Sequence, residues 1–166
     1  MTSLTAVVKA SISAIFKKTL DGRDAVDRIP ESSDIALGYG TGYGKIDIDF
    51  MDVRTLAAST SENLDLAGSL TDAFGQTITA AKIKAIEIEN PEASLSNLTV
   101  GAAASNTFVG PFADATDAIV LKPGDKTVIV SRTGWTVTAS TGDILKVANG
   151  SGGSVNYTIK LLGASA

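Results

Sequence analysis

Apolar and polar residues alternate most cleanly near the end of the sequence. Val155, Tyr157, Ile159 and Leu161 share one face of an extended segment, and Asn156, Thr158 and Lys160 share the other. A period of two predicts a half-buried β-strand. A shorter apolar run, Ile144 to Ala148, precedes it, and Asn149-Gly150-Ser151-Gly152-Gly153 separates the two. Glycine and asparagine tolerate the positive φ of a tight turn, so the pair is predicted to form a β-hairpin.

The same grammar recurs along the chain. Leu4, Ala6, Val8, Ala10, Ile12, Ala14 and Phe16 alternate with mainly polar neighbours. A helical stripe through Leu4, Val8, Ile12, Ile15 and Phe16 competes, but Ser, Thr, Val and Ile favour one long strand. Asp21 to Ser33 is charged, contains Gly22 and Pro30, and is expected to be a loop or excursion. Ile46, Ile48 and Phe50 alternate with Lys45, Asp47 and Asp49, which gives a second clear strand.

Further short strands are expected at Leu64–Leu66, Lys82–Glu89, Leu98–Val100, Ile119–Leu121, Thr127–Val130 and Trp135–Thr138. Lys122-Pro123-Gly124-Asp125 has proline then glycine at the centre of a type II turn. Strands this short and this evenly punctuated predict an all-β, jelly-roll-like β-sandwich with an extended N-terminal arm or strand. The division is expected at residues 1–44 for the strand or arm and its Gly-Tyr loop, and 45–166 for the sandwich.

One internal echo bears on this. Ile86-Glu87-Ile88-Glu89-Asn90 followed by Asn97-Leu98-Thr99-Val100 matches Leu145-Lys146-Val147-Ala148-Asn149 followed by Asn156-Tyr157-Thr158-Ile159. The offset is 59 in both parts (149 − 90 and 156 − 97). Duplication and convergent turn chemistry both account for it, and either way the two pieces are expected to play equivalent structural roles.

Composition narrows the chemistry. The chain has 166 residues, a net charge of −4, no cysteine and no histidine. That removes disulfides, thiolate metal sites, the commonest zinc ligand and every nucleophile–histidine pair. The acidic balance speaks against nucleic acid, which needs a clustered basic surface. Lys17-Lys18 and Lys82 with Lys84 are the tight basic groupings, and both are expected on solvated strand faces. No run of about 18 apolar residues is present to span a bilayer. Polar interruptions in residues 1–20 argue against a secretory signal, so the sequons at Asn97, Asn149 and Asn156 weigh little.

Candidate sites reduce to surfaces. Leu37 to Lys45 holds four glycines, but the spacing is neither GxGxxG nor a phosphate loop, since Ile46 follows Gly44-Lys45. It reads as a turn between strands, or as an exposed contact patch built on Tyr39 and Tyr43 for a partner protein or a sugar. Asp47, Asp49 and Asp52 lack EF-hand spacing. Asp114 and Asp117 form the one acid pair expected near a sandwich rim, with nothing in the sequence to tune either as a general acid. No catalytic, metal or cofactor-binding residue is assigned. Ile12 and Phe16, on the apolar N-terminal run, join Tyr39 and Tyr43 as candidate partner contacts.

Arg54-Thr-Leu-Ala-Ala-Ser, Asn63 through Gly75, Leu98-Thr-Val-Gly, Leu121-Lys-Pro-Gly-Asp and Thr141 through Gly150 together resemble small structural proteins of tailed bacteriophages. The resemblance covers about residues 45–166 and, more loosely, the N-terminal strand, and is one of strands and turns. It implies a non-enzymatic virion protein, with head decoration (cement) proteins the nearest type. Such proteins are typically β-sandwiches that assemble as trimers on the capsid. The expected partners are therefore further copies of the chain and the major capsid protein or another virion protein. The expected location is the capsid surface after synthesis in the bacterial cytoplasm. A tail or fibre component and a glycan-binding module are the alternatives.

Overall fold

A computed structural model describes residues 3–29 and 33–166. Every regular element among them is a strand. The N-terminal part contains β1 (Ala6–Lys9), β2 (Ala14–Leu20), β3 (Arg23–Ile29), β4 (Asp34–Tyr39) and β5 (Lys45–Ile46). Then come β6 (Ile48–Leu56), β7 (Ser61–Asp65), β8 (Lys82–Glu89) and β9 (Leu98–Gly101). The chain finishes with β10 (Ala118–Leu121), β11 (Lys126–Thr136), β12 (Ile144–Asn149) and β13 (Val155–Ala164).

The last eight strands build a β-sandwich. One antiparallel sheet has the order β11-β8-β13-β6 and the other β10-β9-β12-β7. Inward faces of both contribute to a single core, with Phe50, Ile86, Ile88, Tyr157, Ile159 and Leu161 from the first sheet. Leu64, Leu98, Val100, Leu121, Leu145 and Val147 meet them from the second. Tyr157 and Ile159 are fully buried, while Lys160 between them and Leu162 turns outward to Glu87, as the period of two requires.

Three sequence expectations are corrected. The segments 144–148 and 155–162 are not a hairpin. β12 lies between β7 and β9, and β13 lies between β6 and β8 in the other sheet. Alternation tells which face is buried and leaves open which neighbour supplies the hydrogen bonds. The glycine-rich link instead turns a corner between sheets. Gly152 sits against the Leu95 carbonyl so closely that a Cβ would lie 2.0 Å from that oxygen.

The long N-terminal strand is also broken. β1 ends at Lys9, residues 10–13 are irregular, and β2 starts a separate element. Finally, the charged excursion after Asp21 is mostly a strand, β3, which pairs with β2 from Ala14↔Ile29 to Leu20↔Arg23. Asp21 and Gly22 both have positive φ, 48° and 78°, the conformation of a two-residue hairpin turn. Pro30 to Ser32 of that excursion lie outside the described residues.

The echo at offset 59 is a feature of the fold. Ile88 pairs with Ile159 and Glu89 with Thr158 in the first sheet. Val147 pairs with Val100 and Ala148 with Thr99 in the second, each residue shifted by the same 59 (147 − 88 and 159 − 100). Strands β6–β9 thus correspond to β10–β13 with the sheets exchanged. Both corners are closed alike. The Asn90 amide Nδ2 donates to the carbonyls of Ser96 and Leu121, and that of Asn149 to those of Leu56, Ala57 and Gly153. Leu56 and Leu121 end β6 and β10, the equivalent strands. The backbone N–H of Asn90 donates to Asp125 and that of Asn149 to Thr60. Each acceptor follows a positive-φ residue, Gly124 and Ser59.

A smaller sheet, β1-β4-β5, lies over the outer face of the first sheet, with β4 and β5 parallel. Leu37 and Ile46 are buried beneath it. Between Val7 to Lys9 and the row Ala85, Glu87, Val128, Lys160 and Leu162 remains a depression of about 320 Å³. The β2–β3 hairpin emerges from the Lys9–Asp34 end of this sheet and, among the described residues, pairs with no other strand.

Two predictions test this packing. Ile159→Ala is expected to cost roughly 2–5 kcal/mol in chemical denaturation, and a near-neutral result would mean a wrong register. Asn90→Ala and Asn149→Ala should each lose about 1–3 kcal/mol, because either leaves buried carbonyls without a donor. A large loss at one corner and none at the other would contradict their equivalence.

Candidate interaction surface

The arm formed by β2 and β3 is the most exposed part of the chain. Every described side chain from Ser11 to Ile29 is exposed, Ile12 at 78% and Phe16 at 67%. Ile15, Val26 and Ile29 stand in water with them. The register sorts the strand residues into two faces. Ala14, Phe16, Ala25 and Ile29 share one with Lys18, Arg23 and Asp27. Ile15, Lys17, Val26 and Arg28 share the other with Thr19 and Asp24. An isolated two-stranded ribbon is marginal in water, so this arm lacks the third layer or strand that would stabilise it. The Asp21-Gly22 dipeptide between two seven-residue runs was the signal for this element; the surrounding charges masked it.

The Gly-Tyr loop is held from below. The fully buried Lys84 sends its ammonium to the carbonyls of Thr41 and Gly42. Gly44 donates its N–H to the Arg132 carbonyl, and the Arg132 guanidinium reaches the Ala36 carbonyl. Lys84 was expected on a solvated face. Instead the register shifts in β11 between Val130 and Trp135, and in β13 between Leu162 and Gly163, open a place for it. Burial, together with the charge of Lys82, lowers its pKa, and Asp47 partly offsets this.

On this tethered loop Tyr39 is half-exposed and Tyr43 is 73% exposed. The arm leaves from the Lys9–Asp34 end of β4, whereas the tyrosines sit past Leu37 at its other end, roughly 17 Å away by strand rise. The four candidate contacts therefore fall into two patches, Ile12 and Phe16 on the arm side and Tyr39 and Tyr43 on the loop.

Charged groups elsewhere are engaged structurally. At the β6–β7 edge, Arg54 binds Glu62 and Asp52, and the Tyr157 hydroxyl donates to the other oxygen of Glu62 at 2.8 Å. Hydrogen bonding to Glu62 holds the guanidinium above its ordinary pKa, and burial pushes the Tyr157 phenol up. This network joins the two sheets at their rim and was not legible in the sequence, where its members are up to 105 residues apart (157 − 52). On the outer face, Glu87 of β8 accepts from Lys126 of β11 and Lys160 of β13, both at 2.8 Å.

The acids do not gather. Asp47 accepts from Ser165, Asp52 from Arg54, and Asp49 is exposed. Among the described residues no three acidic side chains are placed to hold a metal ion. Asp114 accepts from the N–H and hydroxyl of Thr116, which lowers its pKa, the direction opposite to that of a general acid. No family model matches the chain, and no curated protein or solved structure does.

The Glu87 bridge yields a pH prediction. Burial pushes this carboxyl up, but the hydrogen bonds and charges of Lys126 and Lys160 outweigh it, and its folded pKa lies below the ordinary 4.5. Its stabilisation is thus complete above that value and is lost as pH falls through the folded pKa. Melting temperature should drop on acidification below 4.5, and Glu87→Gln should make the drop shallower. Parallel curves for the two proteins would assign no role to the bridge.

Proposed function

We propose that this chain is a non-enzymatic structural protein of a tailed-bacteriophage virion, a decoration protein that sits on the assembled head as a homotrimer. The observation that carries the reading is the projecting arm, four large apolar side chains on a two-stranded ribbon and Ile12 just before it, with nothing among the described residues to cover them. Such an element gains stability only on a surface supplied by another molecule. The body supports the same reading. From β6 to β13 every connection except β9–β10 passes between the sheets, and the orders 6-13-8-11 and 7-12-9-10 are those of two interlocked Greek keys. We read this as a jelly roll, an architecture suited to broad protein contacts.

In this reading the apolar arm face, with Ile12 before it and Phe16 upon it, meets the capsid lattice after assembly in the host cytoplasm. Stability outside the cell comes from that assembly and needs no disulfide. A second reading, glycan binding, is favoured by the tethering of the Gly-Tyr loop. Two exposed phenols on a fixed backbone are the kind of platform a sugar ring stacks on.

Co-sedimentation with undecorated shells tests the first reading. The full-length protein is expected to pellet with shells, and Ile12→Asp with Phe16→Asp to stay in the supernatant with an unchanged melting temperature. Equal binding by both proteins would move attachment away from the arm. No binding by either, together with glycan-array binding lost on Tyr39→Ala and Tyr43→Ala, would replace the decoration reading with the glycan one.

A further inference from the structure

The arm holds four of the chain's 14 lysines and arginines within twelve residues, Lys17, Lys18, Arg23 and Arg28. None of the four has an ion-pair partner among the described residues, whereas Lys9, Arg54, Lys126 and Lys160 all do. On one face the register sets Ile15 opposite Arg28 and Lys17 opposite Val26, a checkerboard of apolar and basic groups.

The matching surface is on the body. β6 is an edge strand, and its outward residues Met51 and Val53 are 65% and 62% exposed. Asp47, Asp49 and Asp72 line a depression of about 190 Å³ beside it. Asp72 also borders a groove of about 330 Å³ lined by Met51, Asp52 and Arg54. Arg54, the one cation on β6, is already engaged by Asp52 and Glu62. The opposite edge of the same sheet, β11, carries Lys126 and Arg132 and would repel the arm.

We infer that the β6 rim is the receptor for the arm of a second copy. The Ile15–Lys17–Val26–Arg28 face lies along β6, its cations beside Asp49 and Asp72 and its apolar groups over Met51 and Val53. The added ribbon covers an open sheet edge and gains the neighbouring strand that it lacks. Arm and rim are different patches, so the contact is head-to-tail, and rotation about an axis closes it into a ring. This deepens the homotrimer reading above and rests on it, and it leaves the Phe16 face of the arm free for the shell.

Sedimentation velocity on the full chain tests the exchange. The wild-type protein should be a closed oligomer that loosens as salt rises. Lys17→Glu with Arg28→Glu should raise the dissociation constant by about tenfold or more, since like charges would then face each other. Adding Asp49→Lys and Met51→Lys to that variant should restore the oligomer. All four positions are exposed, and an unchanged melting profile at high dilution confirms folding. A wild-type monomer at the highest concentration reached overturns the inference, as does an oligomer indifferent to arm reversal. Dissociation that the β6 changes fail to rescue overturns β6 as receptor. Shell co-sedimentation separates this from the decoration reading. A monomer that still pellets with shells ends the exchange alone, and an oligomer that ignores shells ends decoration alone.

Discussion

The sandwich depends on two buried amides. A chain that keeps leaving one sheet for the other must break its ladder at each corner, where carbonyls at strand ends lose their partners in an apolar setting. An unpaired buried carbonyl costs about as much as a whole hydrogen bond contributes, or more. Asn90 and Asn149 resolve this at equivalent corners, each amide donating to the last residue of a neighbouring strand and to the link that follows its own. The symmetry of β6–β9 with β10–β13 is thus held by hydrogen bonds as much as by the apolar pattern.

Around that body the structure separates what is fixed from what is offered. The outer face of the first sheet is braced by Glu87 across three strands, and the smaller sheet is anchored on it by Leu37, Ile46 and the Lys84 ammonium. A buried lysine is costly unless its protons are taken up, and here two carbonyls of an otherwise irregular loop accept them. The loop owes its shape to that charge. The arm has no such brace, and the same chain that fills its core with aliphatic side chains leaves Ile15, Phe16 and Val26 in water.

How much of this could be read in advance follows from the range of the interactions. Strand positions and buried faces were legible because alternation is local, and Tyr157, Ile159 and Lys160 stand where it puts them. Pairing was not, because the hydrogen-bond partner of β13 is chosen by the corner at Asn149, and no period in the sequence encodes it. The hairpin arm was misread for a different reason. β2 begins within the alternating run that reads as strand, but β3 carries charge on both faces and lacks the half-buried pattern that marks a strand in a core. The arm's turn residues, Asp21-Gly22, alone announced it. Lys84 was hidden by a segment some forty residues away, the Gly-Tyr loop, whose Thr41 and Gly42 carbonyls cover its ammonium. Ile12 and Phe16 were surface candidates as part of the apolar N-terminal run and Tyr39 and Tyr43 as part of the glycine-rich loop, and the two separate patches they form were visible only in three dimensions.

The pairing of β6 with β13 also bears on how the protein is made. Leu56 lies opposite Val155, and β6 has no other neighbour in its sheet. On a ribosome adding about 5–20 residues per second, the 99 residues from Ala57 to Val155 (155 − 56) take roughly 5–20 s to appear. Throughout that interval Ile48, Phe50 and Leu56 belong to a strand that cannot be paired, and β8 waits for its second partner as well. Sheets closed by such distant segments also fold slowly once complete. The nascent chain is therefore at its stickiest before it is finished, and a host that produces it in quantity must shield that first apolar strand with chaperones, or lose part of the yield to aggregation.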